Sequence, residues 1–177
     1  MPVKIRIAGT EYSLKNKSFE IYVQGCYRKC PGCHNPDTQP FDGGKEVDAA
    51  EFCKEILEKI KPFGNLIQNI YVTGGDILCQ KDSVAKTFSS LVSYLFANNY
   101  TIWLFTGAEE KDLPYWVWDC YDVIKCGSFD KNNLNPEGTF PASKNQKLLF
   151  NNEYRETNPR LEDLFNDTEF VGEKKWK

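Results

Sequence analysis

Gly25-Cys26-Tyr27-Arg28-Lys29-Cys30-Pro31-Gly32-Cys33-His34-Asn35-Pro36 decides how the rest of the chain is read. Three thiols, at Cys26, Cys30 and Cys33, fall within eight residues. Offsets of four and seven would align them on one helical face. Gly25, Pro31, Gly32 and Pro36 oppose a helix, because proline has no place in a helix interior and drives the preceding residue out of the helical region. The segment is therefore expected to be a loop that folds back and gathers its sulfurs. Three clustered thiolates suit an iron–sulfur cluster with one iron left open, or a zinc ion with one open position. A third reading leaves the thiols unrelated.

Upstream, Val3 to Ala8 alternates apolar and charged residues as a half-exposed strand does. Phe19 to Val23 is the next expected strand, and it delivers the cysteine loop from its carboxyl end, where ligands sit in α/β sheets. Downstream, Asp48 caps an expected helix, with Glu51 three residues on and Phe52, Ile56, Leu57 and Ile60 as its apolar stripe. Asn69 to Thr73 reads as a short buried strand, followed by Gly74-Gly75-Asp76. Val84, Phe88, Leu91, Val92 and Leu95 repeat at helical spacing, and Thr101 to Phe105 is a continuous apolar strand. Tyr115, Trp116 and Trp118 suggest a short helix, with the tryptophans in the core. Strands are expected at 121–125 and, last, at 147–150. This alternation implies α/β architecture with right-handed crossovers, a parallel sheet with too few units to close: a partial TIM-like barrel or an open sheet. One domain is expected, 1–150 as its body and 151–177 as a C-terminal extension, with Lys174 and Lys175 in a solvated tail.

Composition narrows the function classes. The 177 residues are 14% aromatic and 27% charged, the make-up of a globular chain, and the net charge of −3 gives no basic field for nucleic acid. The sequence holds no run of about 18 apolar residues and no signal peptide or lipidation motif, so no membrane partner and a cytoplasmic location are expected. Seven cysteines, an odd number, fit a reducing compartment better than a disulfide framework. Cys53, Cys79, Cys120 and Cys126 show no second ligand spacing. Cys53, Cys120 and Cys126 read as buried small hydrophobes.

The spacing C-x3-C-x2-C resembles that of the radical S-adenosylmethionine (SAM) family, and Gly74-Gly75-Asp76 resembles the family's Gly-Gly-Glu segment with Asp for Glu. On its own a glycine pair after a strand is as often an ordinary tight turn as a binding loop. The resemblance implies that Cys26, Cys30 and Cys33 ligate a [4Fe–4S] cluster whose fourth iron binds SAM. Electron transfer then yields methionine and a 5′-deoxyadenosyl radical. It also implies SAM contacts at Gly74, Gly75 and Asp76, and at Gly32, where many members carry an aromatic residue beside the adenine.

Leu104-Phe105-Thr106-Gly107, Ile124-Lys125-Cys126-Gly127 and Ala142-Ser143-Lys144-Asn145-Gln146-Lys147 follow in the order found in one subgroup, the activating proteins of anaerobic ribonucleotide reductase. Ala142 and Lys147 replace that subgroup's Gly and Arg, and Cys126 stands where an acidic residue is frequent. The resemblance runs from about residue 3 to residue 150. It implies that the large subunit of the reductase is a protein substrate, activated by formation of a glycyl radical, and that the electron donor is a carrier such as a flavodoxin. Asn145 and Gln146 are expected to bond the SAM ribose or the partner's backbone, unless they form a plain polar turn. Arg28 and Lys29 raise the cluster's potential by their charge, dock an acidic electron donor, or are exposed loop charges, and His34 is either a fourth ligand or a residue without ligation whose neighbours Asn35-Pro36 fix the turn. Two other readings stay open: activation of a formate-lyase type of glycyl radical enzyme, and a zinc or iron–sulfur interaction module without catalysis.

Overall fold

A computed structural model describes residues 1–151 and 169–176. Its elements in chain order are β1 (Lys4–Ser13), β2 (Ser18–Val23), β3 (Lys45–Asp48), α1 (Ala49–Ile60), β4 (Asn69–Gly74), α2 (Asp82–Phe96), β5 (Thr101–Phe105), β6 (Val123–Cys126), β7 (Thr139–Phe140), β8 (Lys147–Phe150), β9 (Glu169–Phe170) and β10 (Glu173–Trp176). Eight strands form one open sheet in the order β10-β8-β6-β5-β4-β2-β1-β3, and β7 pairs with β9 separately.

The expected all-parallel sheet is corrected to a mixed one. The centre, β2-β4-β5-β6, is parallel as the strand–helix alternation implies. Both flanks depart from it. β1 and β2 form an antiparallel hairpin, because only Leu14 to Lys17 separate them and a parallel pair needs a long crossover. β3, for which the sequence gives no strand signal, runs antiparallel on the outer edge of β1. β8 is antiparallel to β6. Nor is 147–150 the last strand: β10 pairs parallel to β8 as the edge of the same sheet. Lys175 is therefore no solvated tail residue. Its Nζ lies 2.9 Å from Glu110 Oε1, and Lys147 reaches Glu110 Oε2 at 3.5 Å.

The helices follow from capping and periodicity. Asp48 accepts from the backbone N–H groups of Ala50 and Glu51, both at 3.0 Å, and so opens α1 at the expected residue. α1 and α2 lie on one sheet face. Ala49, Cys53, Ile56 and Ile60 of α1, with Ala85, Phe88, Val92 and Phe96 of α2, pack on Ile21, Ile70, Val72, Ile102, Leu104 and Ile124. The 115–119 segment forms a short 3₁₀ turn whose Trp116 is buried, with its indole N–H donating to Asp82 Oδ1 at 3.1 Å.

The pleat sorts each strand in two. Ile70, Val72, Ile102, Leu104 and Ile124 face the helices, while Tyr71, Trp103, Val123, Leu148 and Phe150 form a second buried cluster. The same period places Thr73, Phe105 and Lys125 on that second side, near the carboxyl ends of the parallel strands. Cys53, Cys120 and Cys126 are buried as expected, and burial pushes the Cys53 thiol up to about 12 and Cys126 up to about 11.

Phe88 is fully buried at the α2–sheet contact. Phe88→Ala is expected to lower the unfolding free energy by about 3–5 kcal/mol, read as an earlier midpoint in chemical denaturation with an unchanged slope.

Candidate functional site

β2 ends at Val23, and the chain leaves the sheet there into the cysteine loop. The loop is irregular, as the prolines require, and it does fold back. Gly25 N–H donates to Thr38 O at 2.7 Å and Cys26 N–H to Gln39 O at 2.9 Å, so the returning leg is stitched to the outgoing one. Within it Cys33 N–H reaches Cys30 O at 3.1 Å.

Gly74-Gly75-Asp76 sits beside this loop at the end of β4. Gly75 N–H donates to Val23 O at 2.7 Å, and Asp76 N–H to Gly25 O at 3.1 Å. A Cβ on Gly75 would stand 2.6 Å from the Gly25 carbonyl oxygen, and one on Gly74, at φ +92°, would stand 2.8 Å from Tyr22 Cα. The glycine pair is thus required by close approach of two backbones.

Asp76 is 2% exposed, and its carboxylate is surrounded by donors. Arg28 Nε, from the cysteine loop, donates to Oδ2 at 2.7 Å. The Thr106 hydroxyl donates to Oδ1 and Oδ2 at 3.0 and 2.8 Å, Gly107 N–H to Oδ2 at 3.0 Å, and Leu78 N–H to Oδ1 at 2.9 Å. Arg28 is therefore no exposed loop charge. It is a structural partner that ties the cysteine loop to the floor of the site, whereas Lys29 is exposed.

These segments enclose an open cavity of about 360 Å³. Cys26, Cys30 and Cys33 all border it, together with Gly74, Gly75 and Asp76. Among the described residues no three His, Cys, Asp or Glu side chains are grouped closely enough to grip a metal ion, so the thiols share a wall without converging. His34 borders the cavity too, its ring 4.6 Å from that of Phe129. Two expected residues stand back from the wall. Gly32 faces Phe129 and Lys131, and a Cβ there would meet both at 3.4 Å. Asn145 donates through Nδ2 to Ser128 O at 2.7 Å, while Gln146 lines the cavity.

Two features were not singled out from sequence. Lys125 borders the cavity with Phe105, its Nζ 5.6 Å from the centre of that ring, and makes no ion pair among the described residues. Its side chain keeps some solvent contact, yet burial pushes its pKa down to about 8 against the pull of the Asp76 carboxylate. Only the strand pleat, which turns Lys125 to the same side as Thr73 and Phe105, could have signalled it. The other is Cys79, buried behind Cys26. Its thiol donates to the Cys26 sulfur at 3.9 Å, a contact that holds Cys26 down to about 7 and pushes Cys79 up.

The donor set fits an iron–sulfur cluster: three thiols on one loop, with space beside them on the sheet side. The cavity also has what an anionic group of a ligand needs, an ammonium at Lys125 that makes no ion pair among the described residues. Asn145 Oδ1, set back from the wall, is buried without a partner among the described residues.

Residues 17–149 match the family described as a 4Fe-4S single cluster domain. The chain belongs to this family. It is 32% identical over 134 residues to the anaerobic ribonucleoside-triphosphate reductase-activating protein of Enterobacteria phage T4, covering 74% of this chain and 82% of that one. The protein of the same description from Salmonella typhimurium is 29% identical over 135 residues, 71% and 83% of the two chains. The pyruvate formate-lyase-activating enzyme of Clostridium pasteurianum is 40% identical over 63 residues, only 26% of its length. The resemblance to radical SAM activases drawn from the cysteine spacing is borne out by these relatives.

Removing the Asp76 carboxylate strands the half-buried Arg28 and three other donors. Asp76→Ala is expected to cost about 3–5 kcal/mol of stability, checked by thermal or denaturant unfolding of the cluster-free chain.

Proposed function

We propose that this chain is a glycyl-radical-enzyme activase whose protein substrate is the large subunit of an anaerobic ribonucleoside-triphosphate reductase. One observation carries the reading: a three-cysteine loop and a Gly-Gly-Asp turn border a single open cavity at the carboxyl ends of the parallel strands. Similarity over most of the chain to reductase-activating proteins supports it. The fold in this reading is a partial TIM-like barrel of the radical SAM type, one domain with 151–177 as its extension, working in a reducing cytoplasm with a donor such as a flavodoxin.

Cys26, Cys30 and Cys33 would hold the [4Fe–4S] cluster, and Gly74, Gly75 and Asp76 would shape the place for SAM. When bound, this pair of cofactors supplies reductive carbon–sulfur cleavage, and with it the removal of a hydrogen atom from a backbone glycine of the substrate. The chain's own contribution is position and charge. Asp76, neutralised by Arg28, keeps the cysteine loop and the 106–107 loop at fixed spacing. Lys125 faces the cavity as a cation that a carboxylate can pair with. Gln146 stands on the cavity wall, while Asn145, set back from it, holds the Ser128 carbonyl. Phe105 and Phe140 give the cavity an apolar flank. Because the cavity is open, a loop of a protein substrate can reach it.

Anaerobic reconstitution with iron and sulfide, followed by dithionite and SAM, should produce 5′-deoxyadenosine. Addition of the reductase large subunit should then give a glycyl-radical signal in electron spin resonance. A signal only on a formate-lyase type of enzyme would move the substrate assignment, and a colourless protein retaining one zinc would overturn the enzyme reading. Cys30→Ala is expected to abolish the cluster's absorbance while leaving the unfolding midpoint near the parent's.

Lys125 gives a pH test. Burial lowers its pKa to about 8 in the cluster-free chain, so the advantage that its charge gives to SAM binding should shrink as pH rises from 7 to 9. Lys125→Met should bind SAM about tenfold more weakly than the parent at pH 7, the equivalent of about 1.4 kcal/mol, with the difference narrowing over that range in titration calorimetry. Parent-like affinity in the variant would remove Lys125 from the site.

A further inference from the structure

Of the four cysteines outside the loop, Cys79 alone approaches a loop thiol among the described residues. We infer that Cys26 and Cys79 form a reversible oxidation site, closing to a disulfide when the cluster is absent. The Sγ atoms lie 3.9 Å apart. A bond of about 2.05 Å needs only a further closure of about 2 Å, within reach of side-chain rotation.

The backbones on both sides are already fastened. Cys26 N–H is held by Gln39 O at 2.9 Å, and Cys79 N–H by Asp76 O at 2.9 Å in the turn after β4. Gln80 completes the attachment, its Nε2 donating to Gln24 O at 3.1 Å and Gly25 O at 3.3 Å. The residue after Cys79 is thus bonded to the residues just before Cys26. Cys26 borders the open cavity, whereas Cys79 is 8% exposed and lines a different cavity with Phe41 and Gln80. An oxidant in the site therefore meets Cys26 first, with Cys79 behind it as the resolving thiol.

The exchange balances with a low-molecular-weight disulfide as oxidant. Cys26 gives up its proton and attacks one sulfur of oxidised glutathione, releasing one glutathione thiol and leaving a mixed disulfide. Cys79 then gives up its proton and attacks the Cys26 sulfur, and the second glutathione leaves. The two protein thiols lose two electrons, the glutathione disulfide gains them, and both protons end on the released thiols. That this closure would withhold a cluster ligand rests on the reading under Proposed function; the pairing itself does not.

The test treats cluster-free full-length protein with oxidised glutathione. The expected result is loss of two hydrogen masses, a digest in which the Cys26 and Cys79 peptides are joined, and recovery of both thiols with dithiothreitol. Cys79→Ala should instead retain one glutathione on Cys26. A parent that keeps glutathione on Cys26, or joins Cys26 to Cys30 or Cys33, overturns the inference without need of the variant. In cluster-loaded parent the same treatment should leave Cys26 and Cys79 unlinked. If they link while the cluster stays bound, Cys26 is not a ligand, and the ligand assignment fails while the thiol pair stands.

Discussion

A carboxylate with almost no access to water has to find its hydrogen bonds within the protein, and Asp76 finds them on three separate segments. Arg28 comes from the cysteine loop, Leu78 from the turn after β4, and Thr106 and Gly107 from the end of β5. None of these segments belongs to an α-helix or to the interior of the sheet, and Leu78 lies in the single 3₁₀ turn Ile77–Cys79 that Asp76 caps. Each would otherwise be an independent surface loop, and loops are the least constrained part of such a fold. The carboxylate therefore does for the site what the apolar core does for the sheet. The Gly74-Gly75 pair belongs to the same arrangement, since side chains there would push the turn away from Val23 and Gly25 and carry Asp76 out of reach of Arg28.

The sheet divides the labour between its faces. The helix-covered side, with Ile70, Val72, Leu104 and Phe88, is apolar and sets stability. The opposite side is aromatic in its middle, where Tyr71 and Trp103 lie with ring centres 5.2 Å apart, and turns polar toward the strand ends. Trp103 shows how a polar atom is tolerated there: its indole N–H donates to Asn69 Oδ1 at 3.1 Å. A cluster held by Cys26, Cys30 and Cys33 would sit at that margin. Hydrophobic surroundings would limit solvent at the metal there, and the charge of Lys125 would act on it through a medium of low polarity.

Much of this was legible in the sequence because it is local. Proline and glycine placement made 25–36 a loop, Asp48 marked the start of α1, and uninterrupted apolar runs marked β4 and β5. The sheet's flanks were not legible. Lys45–Asp48 carries three charged residues and lacks the alternation of a buried strand, since an edge strand packs mainly through its backbone. The antiparallel setting of β8 depends on where residues 127–146 lead the chain, which no period in the sequence records. Cys26, Cys30 and Cys33 could be grouped by spacing, but the Arg28–Asp76 pair spans 48 positions and the Cys26–Cys79 contact 53. Separations of that size are set by strand order. Asn145 and Gln146 illustrate the resulting uncertainty of one residue, because adjacent side chains in a turn point to different places.

The placement of β10 has a bearing on how this chain can be trimmed. It covers the outer hydrogen-bonding edge of β8, whose Leu148, Leu149 and Phe150 are fully buried. A version ending at Phe150 would leave that edge bare, a flat ribbon of unpaired amides and carbonyls beside apolar side chains. Such an edge recruits a strand from a neighbouring molecule. β10 is thus a guard against self-association, and a chain shortened to Phe150 would be open to it.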